Sequence, residues 1–181
     1  MHESAMNYLK RIRSQYNFDG PVLEIGSINI NGSARDVFGN LQPYVGVDIV
    51  PGPNVDYVVD IRKHRHKDYA EDHPLNYPFR TVIATEVLEH VDPESILYAI
   101  QKMISNYDVV YIVITCAGPN RKPHSADGSP TLKPNEYYKN VDPEYLRSLL
   151  QDDLLDTHQC VSCIVEMSPD GTDVYATAVY V

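Results

Sequence analysis

Val22 to Gly32 reads VLEIGSINING, and Tyr44 to Val50 reads YVGVDIV. A buried strand ending in Glu24-Ile25-Gly26 runs into a turn rich in Gly, Ser and Asn. Such a turn lets backbone N–H groups approach a ligand, and Asn29, Asn31 and Gly32 can take left-handed backbone angles. Asp48 then ends a second strand about twenty residues on, where an acidic residue of a Rossmann-like sheet receives both ribose hydroxyls of an adenosine. Each such charge-assisted bond contributes about 1.5–3 kcal/mol. Dinucleotide sites use G-x-G-x-x-G to bring backbone against a pyrophosphate. Here Ile28 occupies the second glycine's position and there is no P-loop lysine, so a pyrophosphate is poorly served. Glu24 adds negative charge that disfavours a phosphate and suits an ammonium.

A second group follows the fourth predicted strand, Glu86-Val87-Leu88-Glu89-His90. Two carboxylates and an imidazole suit a hard or borderline cation, and a metal there would lower the pKa of an attacking hydroxyl. The alternative has Glu89 and His90 support the turn before the next helix, and this structural reading is preferred. A third group lies in the Pro/Gly-rich stretch over 117–140, where His124 is a candidate base and Tyr137 and Tyr138 are candidates to close over a substrate. A solvated excursion with packed tyrosines accounts for that stretch equally well. Arg62-Lys63-His64-Arg65-His66-Lys67 is a dense basic run, read as a solvated face in preference to an anionic-substrate or RNA contact. Cys160 and Cys163 have C-x-x-C spacing but sit in a predicted strand, where residues three apart face opposite ways. Packing is therefore preferred to a shared metal or redox pair.

These residues need a scaffold, and the chain alternates strand and helix. An N-terminal helix occupies residues 1–18, with Ala5, Leu9, Ile12 and Tyr16 on one face and Ser4 as its cap. Strands are expected over Val22–Ile25, Tyr44–Ile49, Val55–Asp60, Thr81–Thr85 and Val109–Cys116. A brief helix runs from Gly32-Ser33 towards Phe38. A longer one runs from Asp92 to about Ser105, capped by Asp92 with Pro93 in its first turn. Asp142-Pro143-Glu144 starts another helix. Cys160–Glu166 and Val174–Val181 flank Ser168-Pro169-Asp170-Gly171, a turn too short for anything but an antiparallel hairpin. The expected fold is a single α/β domain over 1–181: a Rossmann-like, seven-stranded, mostly parallel sheet with a C-terminal antiparallel hairpin and helices on both faces.

Composition sets the outer bounds. The 181 residues are 43% hydrophobic and 22% charged, a globular balance. A net charge of −10 argues against gripping nucleic acid through phosphate neutralisation. The polar N-terminus predicts no signal peptide, and Val109–Ala117 is too short an apolar run to span a bilayer. Three cysteines without a secretory signal fit reduced thiols and a cytoplasmic location.

In its motifs and their order the chain resembles the class I S-adenosylmethionine-dependent methyltransferases of the type 11-like kind, from Val22 to Val181. The resemblance implies S-adenosylmethionine as cofactor, a molecule with an adenosine, an amino acid and a sulfonium but no phosphate. It implies that Glu24 and Gly26 border the methionine part, with Ser27 and Gly32 in the same cofactor loop. Asp48 would hold the ribose, Ile49 and Val50 would flank the adenine, and Asp60 with Ile61 would stand near its amino group. Thr85 and Glu86 would lie beneath the sulfonium. The chain departs from the family at Ile28, where a second glycine is usual. Glu86-x-x-Glu89-His90 also resembles a divalent-metal pattern of some quinone-pathway O-methyltransferases and RNA 3′-terminal ribose methyltransferases. The expected activity is methyl transfer to an oxygen or nitrogen of a small-molecule or glycan-like acceptor, with His90 and His124 as candidate catalytic residues. The alternatives are a non-catalytic cofactor-binding or scaffolding module, an RNA ribose methyltransferase and a nicotinamide oxidoreductase.

Overall fold

The structure, a computed structural model, describes residues 2–63, 73–104, 110–151 and 159–181. His64 to Lys67 of the basic run, Ser105 at the expected helix end and Val109 at the expected strand start lie outside these residues.

The elements in chain order are α1 (Glu3–Gln15), β1 (Val22–Ile25), α2 (Arg35–Phe38), β2 (Tyr44–Asp48), β3 (Tyr57–Val58), β4 (Thr81–Thr85), α3 (Pro93–Gln101), β5 (Val110–Ala117), α4 (Pro143–Gln151), β6 (Cys160–Met167) and β7 (Asp173–Tyr180). Short 3-10 turns at Ile61–Lys63 and Pro74–Asn76 lie between β3 and β4. The seven strands form one sheet in the order β3-β2-β1-β4-β5-β7-β6. The first five pair in parallel, and β7 pairs antiparallel with both β5 and β6. Ile25, Asp48, Val58, Thr85 and Ala117 therefore end their strands at one edge. The strand order reverses beside β1, and in open α/β sheets ligands bind at that switch point.

Alternation along the strands divides the core in two. Ile83 and Val113 face α1 and α2, where Ala5, Leu9, Ile12 and Phe38 cover them. Val82, Ile112 and Ile114 face α3 and α4, where Ile96, Leu97, Ile100, Leu146 and Leu150 cover them. In α3 the Asp92 carboxylate accepts from the Ser95 N–H at 3.0 Å, the cap that the sequence predicts.

Three local expectations are corrected. Ser4 does not cap α1; it lies inside the first turn and its hydroxyl donates to Asp173 at 2.8 Å, while His2 precedes the helix. The third strand shrinks to Tyr57–Val58. Asp56 is drawn away to accept from the Gly46 N–H at 2.7 Å and to pair with Arg35, and Asp60 accepts from the Arg62 N–H as the chain turns. Finally, Cys160 and Cys163 share a face. A β-bulge between Cys160 and Ser162 places them opposite Tyr180 and Ala178, and both pack against the same core. The extra residue of a bulge shifts the alternation by one position. Both thiols are free.

Candidate active site

β1 delivers the chain to the sheet edge and Gly26 turns it, with φ +71°. The Gly26 and Ser27 N–H groups both donate to the Val47 carbonyl, at 2.9 and 3.0 Å. A β-carbon on Gly26 would stand 2.2 Å from Val87 Cγ2, so the turn packs directly on the segment after β4. Further on, the Asn29 N–H donates to the Pro53 carbonyl at 2.9 Å, and the Gly32 N–H to the Asn29 side chain at 2.9 Å. Ile28, in the second glycine's place, lays its side chain over Gly52. The loop thus leans on the turn after β2.

That turn carries Asp48. Its carboxylate accepts from the Ile28 N–H at 3.3 Å and the Val50 N–H at 3.2 Å, which orients it and leaves lone pairs unused. Ile49 and Val50 beside it are large apolar side chains, 66% and 47% exposed. Thr85 is buried at the end of β4. Glu86 follows with φ +57°, a conformation uncommon outside glycine and asparagine. It is held there by its N–H donating to the Thr115 carbonyl at 2.7 Å and its carboxylate accepting from the Thr115 hydroxyl at 2.9 Å.

Other predicted residues are placed differently from their neighbours in sequence. Glu24 is buried beneath the loop, accepting from the Tyr44 hydroxyl at 2.8 Å and the Ser33 hydroxyl at 3.3 Å. Burial raises its pKa to about 7, although the Tyr44 bond, Arg35 and the Ser33 bond all oppose the shift. Ser27 is buried and its hydroxyl has no partner among the described residues. Asp60 accepts two bonds of 2.7 Å from Arg62, which holds its carboxyl below the usual range. Ile61 is a core residue. The Glu24–Tyr44 contact escaped the sequence reading. Its only signal is register, since β1 and β2 pair Val22 with Tyr44 and so put Glu24 and Tyr44 on one face.

Beyond Glu86, one corner gathers the buried Glu89 and the half-buried His90, His124 and Tyr138. The ring centroids are 5.1 Å apart for His90–His124, 5.4 Å for His90–Tyr138 and 5.1 Å for His124–Tyr138. The two histidines expected as separate candidates thus meet. Glu86, whose carboxylate accepts from Thr115, is not part of this group. One potential ligand atom each from Glu89, His90 and His124 lies within 4.8 Å of the others. Burial, aided by the nearby Glu86 charge, holds the Glu89 carboxyl well above the usual range. Burial, with His124 beside it, holds His90 down to about 4, so its ring is neutral at physiological pH. The 118–140 segment is fastened over this corner. The Lys139 N–H donates to the Glu89 carbonyl at 2.8 Å, and the Asn140 amide donates to the Gly118, Pro119 and Arg121 carbonyls at 2.6–2.9 Å. Arg121 pairs with the buried Asp173 of β7.

Among the described residues no helix is long and apolar enough to cross a membrane. Neither a family model nor a curated protein matches the sequence. Solved structures do match the fold. The chain is similar to 1,6-didemethyltoxoflavin-N1-methyltransferase from Burkholderia thailandensis, solved with its acceptor and S-adenosylhomocysteine. The identity is 12%, the match covers 98% of this chain and 78% of the other, and the TM-score is 0.62. It is similar to a SAM-dependent methyltransferase from Archaeoglobus fulgidus at 17% identity, over 98% and 93% of the two chains, with a TM-score of 0.64. Magnesium protoporphyrin IX methyltransferase from Synechocystis PCC 6803, with bound SAM, matches at 12% identity over 98% and 78%, with a TM-score of 0.59. The chain has the fold of the class I S-adenosylmethionine-dependent methyltransferases.

Proposed function

We propose that this protein binds S-adenosylmethionine and transfers its methyl group to an oxygen or nitrogen of a small-molecule acceptor. The observation that carries the reading is the pairing of Gly26 and Asp48 at the sheet's switch point. A close-packed glycine turn at the end of β1 stands beside an oriented carboxylate at the end of β2, flanked by the exposed Ile49 and Val50. That donor set fits an adenosine: a carboxylate for the ribose hydroxyls and apolar walls for the ring. The methyltransferases with the same fold that are solved with SAM or S-adenosylhomocysteine support it.

When bound, the cofactor supplies a methyl group on a sulfonium. An acceptor lone pair would take that methyl group, with the C–S bonding electrons left on sulfur and the acceptor's proton passed to water. The chain's part is positioning and exclusion of water. Asp48 would hold the ribose, Ile49 and Val50 would enclose the adenine, and Asp60 and Ile61 would stand near its amino group. Gly26, Ser27 and Gly32 shape the methionine end, where Glu24 anchors the loop from beneath through Ser33. Thr85 and Glu86 form the floor. His90 and His124 stand at the acceptor end, beneath the 118–140 segment acting as a lid.

Calorimetry with S-adenosylhomocysteine tests this. The chain should bind it, and Asp48→Ala should weaken binding by about 10–100-fold. No binding at millimolar ligand would overturn the reading, and unchanged affinity in the variant would remove Asp48 from the ribose site. Labelled methyl transfer, screened over hydroxyl and amine acceptors, separates an enzyme from a module that only binds the cofactor.

A further inference from the structure

β6 ends the sheet, and among the described residues it pairs only with β7. In an antiparallel strand the N–H and C=O of one residue point the same way, and successive residues point to opposite sides. β6 therefore turns a row of amides and carbonyls outward along its eight residues. Such a row is a template for another strand, and chains usually blunt it with lysine, proline or shortness. β6 holds neither lysine nor proline. Its one charged residue, Glu166, is already paired with Arg11 of α1 at 2.8 Å, and Val161, Ile164 and Met167 are exposed.

Arg147 meets this edge instead. From α4 its guanidinium donates to the Cys163 carbonyl at 3.4 Å and to the Val165 carbonyl at 3.2 Å. These two residues alternate, so their carbonyls point to one side of the strand, and a side chain reaching both marks that side as the open one. Glu144, one turn earlier on α4, pairs with Arg147 at 3.6 Å and helps to orient it. The planar fork of an arginine spans two acceptors, which the point charge of a lysine does not. The bulge between Cys160 and Ser162 interrupts the row near its start, so Arg147 stands over the part that is still regular.

We propose that Arg147 holds the open edge of the sheet shut, and that the partner it keeps out is a second copy of this chain. Two β6 strands laid antiparallel about a twofold axis meet as identical surfaces. Freed of Arg147, the outward N–H and C=O groups of Cys163 and Val165 find matching groups across the axis. The exposed Val161, Ile164 and Met167 supply apolar surface to cover, and Glu166, neutralised by its own Arg11, brings no unpaired like charge to the contact. This role concerns assembly and stands apart from any chemistry at the other end of the sheet.

The test compares the wild-type chain with Arg147→Met, which keeps an apolar stem and removes the donors. In sedimentation equilibrium from micromolar to near-millimolar chain, the wild-type mass should stay constant while the variant's rises to twice that value. Hydrogen exchange at the Cys163 and Val165 amides should slow by at least about 10-fold in the associated variant. Adding Val165→Pro removes an outward N–H, is tolerated on an edge strand, and should restore the wild-type mass. Should Arg147→Met fold poorly, Arg147→Lys keeps the charge without the fork and should show the same association more weakly. An unchanged mass in both single variants would overturn the proposal. So would a rise in mass that leaves the two amides unprotected and survives Val165→Pro, or a wild-type chain that already associates with those amides protected.

Discussion

Gly26 concentrates two demands on a single residue. Its φ of +71° lies in the left-handed region, and a β-carbon there would meet Val87 Cγ2 at 2.2 Å. Gly26→Ala should therefore lose about 1–3 kcal/mol of stability, measured by urea unfolding, and weaken S-adenosylhomocysteine binding as the loop shifts. Adding Val87→Ala should recover the steric part but not the backbone part. Full recovery in the double variant would show that the backbone angle costs nothing. At this scale the sequence was informative about type and less so about direction. Asp48 is legible because a carboxylate at the end of a strand has few other places to point. Glu24 was expected to face a ligand's ammonium, yet its side chain turns under the loop to Tyr44 and Ser33. Which face a strand residue takes depends on the neighbouring strand's register, and that is a property of the sheet.

Among the elements, β4 and the start of α3 were the most legible, set by an unbroken apolar run and by the Asp92 cap with Pro93. The end of α3 was not, since the helix stops at Gln101 rather than near Ser105 and Ile104 bridges to Phe79 instead. The bulge in β6 was not, because it arises from pairing with β7 and leaves no mark in composition. The meeting of His90 with His124 was hidden for a similar reason, as it depends on how the 118–140 segment folds back. Asn140 governs that fold, its amide nitrogen serving the Gly118, Pro119 and Arg121 carbonyls. Asn140→Ala leaves those carbonyls without it and should loosen the base of the segment proposed as a lid. Hydrogen exchange of the amides over 118–140 should accelerate, and methyl transfer should fall by about 10-fold or more, with S-adenosylhomocysteine affinity nearly unchanged. Unaltered exchange in the variant would mean that other contacts hold the segment.

For the molecule as a whole, the buried carboxyl of Glu24 ties stability to pH. Its pKa rises from an ordinary 4.5 to about 7 on folding. Below about pH 4.5 it is protonated in folded and unfolded chains alike, and its burial costs least. Between that value and about 7 the unfolded chain ionises while the folded chain keeps the proton, so this contribution is lost as pH rises, by about 3 kcal/mol in all. Glu24→Gln should flatten the wild-type decline across that window and be the more stable protein at pH 8, as urea midpoints would show. Equal pH profiles would mean that Glu24 ionises normally in place. The sequence conveyed the α/β class and the terminal hairpin, because both follow from the order of elements. It could not convey which helix docks on which strand, and here α1 ends up on β7. Ser4 donates to Asp173, the Tyr8 and Thr177 hydroxyls lie 2.6 Å apart, and Tyr8 stacks on Tyr175 at 4.8 Å. A ribosome makes α1 first among these elements and β7 last. The earliest helix thus emerges without the strand that anchors its polar side, and its Leu9 and Ile12 stripe stays only partly sheltered while the rest of the sheet is made. Synthesis order and docking order run in opposite directions, so α1 should wait longest among these elements for its last partner, a stage at which exposed apolar surface favours misassociation.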